Sequence, residues 1–198
     1  MRVHQLEILS FIVMAMVAIS GLSSLVVLSW EALHAPSFVK YASPHSDAID
    51  IGAVAFLFAT AIIFGRWIYV AGTNAIELGH DDLEFSPASR IWWFAVPVLC
   101  LFKPFEAMRE LWNASHGEVQ YSKNASTVTI WWALWLGSTL SGLMAGVFEG
   151  VEDGGSELLW WIDAVVVAAL SAAAIMLVRG ITAAQGRPHV MQFADIFA

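Results

Sequence analysis

Two ionisable side chains, Asp163 and Arg66, fall inside long apolar stretches of this 198-residue sequence. A charge in hydrocarbon is costly, so an ionisable group at that depth is a functional candidate, here for a proton or cation site. Each also has a plainer reading. Arg66, beside Trp67 and Tyr69, suits an anchor that extends its guanidinium to the headgroups. Asp163, just after Trp160 and Trp161, suits an acid near a helix start, favoured by the N-terminal dipole and by water.

Other chemistry finds less support. The six histidines, His4, His34, His45, His80, His116 and His189, sit in loops or tails, and no two have the three- or four-residue spacing of helical ligands. A buried haem or a helical metal site is not expected. The cluster His80, Asp81, Asp82 and Glu84 reads as solvated groups after a helix end rather than a divalent-ion site. No Ser/His/Asp set, phosphate-binding glycine loop or zinc motif is present. The expectation is a non-enzyme with neither cofactor nor metal. Cys100 is the sole cysteine, which excludes an intrachain disulfide.

The elements that position these residues follow from hydropathy. The chain is 59% hydrophobic and 13% charged, with a mean hydropathy of +0.69, against roughly 45–50% and about 25% in soluble domains. Long apolar runs cover residues 8–30, 51–70, 128–148 and 158–178, each near the roughly 20 helical residues that cross about 30 Å of hydrocarbon. The first is too long for the h-region of a signal peptide, so it reads as an uncleaved span. No linker, repeat or low-complexity tract divides the chain, and a single membrane domain over residues 1–198 is expected. With a net charge of −8, nucleic acid is not an expected partner; the lipid bilayer is.

The stretch "WWFAVPVLCLFKPFEAMRELWNAS", Trp92 to Ser115, decides the topology. Its apolar part, Trp92 to Phe102, would reach only about 16 Å as a helix. Pro97 interrupts it, and Pro104 suits the first turn of a new helix. Phe105, Met108, Leu111 and Trp112 then share one helical face, with Glu106, Arg109, Glu110 and Asn113 on the other. Residues 90–115 are therefore expected to form a re-entrant turn containing Pro97, Cys100, Lys103 and Pro104, followed by an amphipathic interfacial helix carrying Phe105, Met108, Arg109, Leu111 and Trp112.

Charge agrees. The acidic connection from Glu149 to Glu157 has no basic residue and belongs outside, which puts the C-terminus in the cytoplasm. With a re-entrant turn, Arg2, Arg66, Arg90, Lys103, Arg109, Lys123, Arg179 and Arg187 lie inside and only Lys40 outside. The expected fold is an all-α, multi-pass bundle of four transmembrane helices plus this element, with both termini cytoplasmic. A fifth, kinked span is the alternative. It would turn the N-terminus outward and let Arg66 and Asp163 pair.

The stretch from Trp67 to Trp135 resembles a bacterial membrane family catalogued as domain of unknown function 4328. The resemblance rests on "NAIELG" at Asn74 to Gly79, "SPASRIWWFAVP" at Ser86 to Pro97, "PFEAMRELWNAS" at Pro104 to Ser115 and "WWALWL" at Trp131 to Leu136. One departure lies between the two prolines, where the family carries a polar Asn and this chain reads "VLCL" at Val98 to Leu101. The resemblance implies a multi-span protein of the bacterial inner membrane and no particular activity.

Helix packing is more legible than chemistry. Ser138, Gly142 and Gly146 recur at four-residue spacing on the fourth run, and Ala164, Ala168 and Ala172 do so on the last. Such stripes let backbones approach closely. The short connection makes an internal hairpin the first reading, with homo-oligomerisation or docking to a membrane protein partner as the other. Trp131, Trp132, Trp135, Trp160 and Trp161 are expected to be aromatic anchors at the ends of that hairpin. Two functions stay open: a non-catalytic scaffold, accessory subunit or sensor, or a small cation or proton transporter using Asp163 and the Pro97–Pro104 turn.

Overall fold

The computed structural model describes residues 3–148 and 155–187. In chain order these form α1 (Val3–Leu33), α2 (Ala35–Tyr41), α3 (Ser46–Glu77), α4 (Ser89–Trp92), α5 (Lys103–Ser115), α6 (Ser126–Val147) and α7 (Gly155–Gly186), with short 3-10 turns between some of them and no strand among the described residues. The acidic residues 149–154, Arg2 and His189 lie outside the described set.

Four helices are long and apolar enough to cross a membrane: α1, α3, α6 and α7. Their composition requires it, because a helix satisfies its own backbone groups and hydrocarbon offers no other partner. Phe11, Ile62 and Phe58 are 72, 69 and 65% exposed, so the outer surface is made for an apolar solvent. The helices α1, α3 and α7 have 31, 32 and 32 residues, or about 45–48 Å at 1.5 Å per residue, and extend past the runs read from hydropathy. Between α3 and α6 the longest helix is the 13-residue α5, about 20 Å. A fifth helical span is thus absent among the described residues.

The helices stand in the spatial order α6, α7, α1, α3. Contacts are most extensive between α1 and α7 and between α6 and α7, then between α1 and α3. The closest approach is at Gly21 of α1: a Cβ there would lie 2.5 Å from Ser171 Cβ and 3.5 Å from the Cα of Ala168. On α6, Gly137 faces Val166 and Gly142 faces Asp163, whereas Gly146 has open space around it. Ala164 is buried and Ala172 exposed. The small-residue stripes therefore do not run the length of the α6–α7 pair, and Ala168 serves the contact with α1.

The α3 and α6 helices bracket a lateral cleft of about 380 Å³, floored by α1 and α7. Leu57, Phe64, Ile91, Phe94, Trp135 and Leu170 are among its walls. The rings of Phe64 and Trp131 meet across the gap with centroids 6.4 Å apart. The start of α1, the segment 78–125 and the end of α7 share one end of the molecule, since Glu7 and Ser10 border Thr182 and Gly186 and Gln185 reaches Ser115.

Candidate functional site

Residues 78–125 form a cap over that end, and glycines close α3 at its start and α5 within it. In each case the amide after the glycine returns to a carbonyl five residues back: His80 N–H to Ala75 at 3.3 Å and Glu118 N–H to Asn113 at 3.0 Å. Gly79 and Gly117 take φ of +97° and +73°, the left-handed conformation this closing turn requires. "NAIELG" is thus a helix ending.

Arg90 anchors the cap. It is fully buried, and its Nη2 donates to Glu110 Oε2 at 2.7 Å; Nη1 donates to the Ala107 carbonyl. Glu110 also accepts the Glu84 N–H and, at 3.2 Å, the Phe85 N–H. One carboxylate therefore ties the loop before α4 to α5 and balances the buried guanidinium. Burial lowers the Arg90 pKa, and Glu110 offsets part of that shift. Gly72 of α3 makes room, because a Cβ there would lie 3.4 Å from Arg90 Nε.

Amide side chains complete the frame. Asn113 Nδ2 donates to the carbonyls of Tyr121 and Lys123, both at 2.7 Å. Gln185 Nε2 on α7 donates to Ala71 O of α3 at 3.0 Å and to Ser115 Oγ of α5 at 2.8 Å. Trp67 Nε1 donates to Thr182 Oγ1 at 3.1 Å. The Trp112 ring abuts Gly180, where a Cβ would come within 2.6 Å of Cη2 and Cζ3.

At the rim, Tyr121 donates to Asp82 Oδ1 at 2.9 Å and sits 2.8 Å from His80 Nδ1. Burial, with the bond to Asp82 second, pushes the Tyr121 phenol up to about 12. Lys103 bonds Glu106 at 2.6 Å and lies 3.7 Å from Glu84; the Glu106 bond, ahead of other effects, raises its pKa. Among the described residues, no group of three His, Cys, Asp or Glu side chains converges to hold a metal ion.

The residues read from the sequence are distributed as follows. Asp163 accepts from Ser141 Oγ at 2.6 Å, while exposed Arg66 lies over the Tyr69 ring at 5.6 Å. They do not pair. Ser138 donates to its own helix at Trp135 O. Met108 and Leu111 are fully buried and Phe105 and Trp112 partly so, but Ala107, Glu110, Asn113 and Ser115 are buried too. The α5 helix is thus packed by protein on both faces, rather than lying in the interface with its polar face in water. Arg109 sits over Phe105, and Pro104 is buried. Trp131 and Trp132, expected as interface anchors, are 3 and 6% exposed because the cap covers them, Phe94 meeting Trp132 at 6.4 Å.

Between the prolines, Leu99 N–H bonds Pro97 O at 2.8 Å, and Val98 takes φ +66°, ψ −49°. This is a γ-turn of the rare, strained hand, occupied by a β-branched residue. It falls where the sequence departs from the family pattern. Cys100 N–H closes the turn onto Val96 O, with its half-buried thiol free.

The sequence reading missed Arg90, Glu110, Gln185 and Tyr121. The first two lie in the quoted motifs, but their separation of 20 residues left nothing local to link them. A model of the family described as domain of unknown function 4328 matches residues 31–186. No curated protein and no solved structure matches the chain.

Proposed function

The chain belongs to the family described as domain of unknown function 4328, and from that premise we propose that it is a non-catalytic membrane module, an accessory subunit or sensor working through helix packing and its cap. One observation carries this reading: buried polar side chains are spent on fixing the cap, Arg90, Glu110 and Asn113 within the 78–125 segment and Gln185 of α7 between that segment and α3. Arg90, Glu110, Asn113 and Gln185 are all buried and all bond across elements. A cap so fixed reports any shift between the long helices to the surface that carries His80, Lys103 and Tyr121. The transport alternative needs a wet route from Asp163 to the Pro97–Pro104 turn. The 380 Å³ cleft is instead lined mostly by apolar side chains, and neither Asp163 nor that turn borders it.

In this reading residues 89–102 re-enter from the cytoplasmic side of a bacterial inner membrane. In support, Trp92, Val98 and Phe102 are 70, 69 and 59% exposed, suited to lipid, while Ile91 reaches Gly65 within a span. Basic residues gather at the cap end and Lys40 stands alone at the other, the arrangement of a cytoplasmic cap. Affinity purification in mild detergent with mass spectrometry tests the function: one stoichiometric membrane-protein partner is expected, and recovery of the chain alone would sink it. Labelling of a cysteine placed at position 4 from outside intact cells would overturn the orientation.

A further inference from the structure

The lateral cleft between α3 and α6 has the dimensions of a ligand site. On α3 its lining runs from Leu57 to Ile68, about 16 Å along the helix axis, close to half of the roughly 30 Å hydrocarbon core. The cleft therefore spans one leaflet, the one on the cap side, where Ile91 and Phe94 border it. No charged side chain lines it. Of its hydroxyls, Thr60 donates to Phe56 O at 2.8 Å and Ser171 to Val167 O at 2.9 Å, which leaves Ser20. Such a lining disfavours a charged occupant and offers little to a polar headgroup.

Floor and rim differ in access. Ser171 and Ala174 of α7, at the floor, are 7 and 6% exposed, whereas Leu57 at the rim is 61% exposed and continues with Phe58 into the lipid-facing side of α3. The opening is sideways, onto hydrocarbon rather than water. Phe64 and Trp131 meet across the cleft with centroids 6.4 Å apart, so a helix, about 10–12 Å across with its side chains, does not fit. Left empty, the cleft would forfeit dispersion contacts along its walls. A flexible apolar chain about one leaflet long matches its width, length and polarity.

We propose that the cleft holds one acyl chain of a phospholipid from the cap-side leaflet, lying along α3 between Ile68 and Leu57. Phe94 and Trp135 meet each other as well as bordering the cleft, so the side chains that receive the acyl chain also hold the re-entrant segment.

The test places the full chain in nanodiscs of phosphatidylcholine, part of which carries a diazirine near the end of one acyl chain, and maps the label by peptide mass spectrometry after irradiation. Wild type should be labelled at Ser171 and Ala174, which lipid reaches only through the cleft, as well as at lipid-facing Phe11. A61W, which fills the cleft from α3, should lose the floor label and keep that at Phe11; S20F should do the same from α1. L143W, on the outer surface of α6, should leave both labels unchanged. Absence of floor label in wild type, or floor label that survives both A61W and S20F, would reduce the lipid to an annular one and overturn the site. A dimer in native mass spectrometry that A61W dissolves would make a second copy the occupant, and equal floor label from a diazirine fatty acid would make a free acid the ligand; either overturns the phospholipid assignment. Circular dichroism checks that the variants fold, and if A61W does not, S20F alone decides.

Discussion

The long helices and the cap obey opposite rules. In α1, α3, α6 and α7 the hydroxyls mostly turn back on their own helix, as Thr60 does to Phe56 and Ser171 to Val167, and large apolar side chains face outward. In the cap the buried polar side chains Arg90, Glu110 and Asn113 bond across elements instead. Hydrocarbon gives apolar surfaces little reason to choose one neighbour over another. A buried guanidinium with one carboxylate within reach allows only one arrangement. The comparison teaches that the spans supply the material of the fold while the cap supplies its specificity.

That contrast can be broken most directly at Glu110. Replacing it with Ala leaves Arg90 buried and uncompensated, and should cost about 3–5 kcal/mol in detergent unfolding, whereas R90M/E110L should cost much less than the single change. An E110A effect no larger than that of an average surface substitution would dissolve the distinction. Next, G180A sets a methyl against the Trp112 ring and should cost about 1–3 kcal/mol, while G146A, in open space, should change nothing measurable. In the other direction, V98G should stabilise by about 1 kcal/mol, because relief of a strained φ exceeds the entropy cost of glycine; a loss would show that Val98 is held by contacts rather than tolerated. The smallest effect is at the rim. Since folding raises the Tyr121 pKa to about 12 from 10, its share of stability is intact below pH 10 and lost as pH rises through about 12. Y121F should remove that alkaline limb and cost about 0.5–1.5 kcal/mol at neutral pH.

The same contrast explains what could be read in advance. Span number and the helix break after Phe102 follow from hydropathy and proline chemistry, which act locally and leave local marks. The face containing Met108 and Leu111 was legible for the same reason. The burial of Glu110 and Asn113 on the opposite face was not, since a polar side chain looks alike in sequence whether it meets water or a distant arginine. Likewise Trp131 and Trp132 carry the composition of interface anchors, and only the cap's position over them makes them core.

The position of α7 between α1 and α6 has a consequence for biosynthesis. Emerging from the ribosome after the other described helices, α7 must enter the centre of the layer instead of adding to its edge. Until it does, the α1–α3 hairpin and α6 share no extensive seam, and Gln185, Thr182 and Gly180 are not yet there to receive the cap. A chain stalled before α7 would therefore be an inserted set of helices with its cap undocked. That form would be open to proteolysis at 78–125, and a quality-control protease could distinguish it from the finished protein.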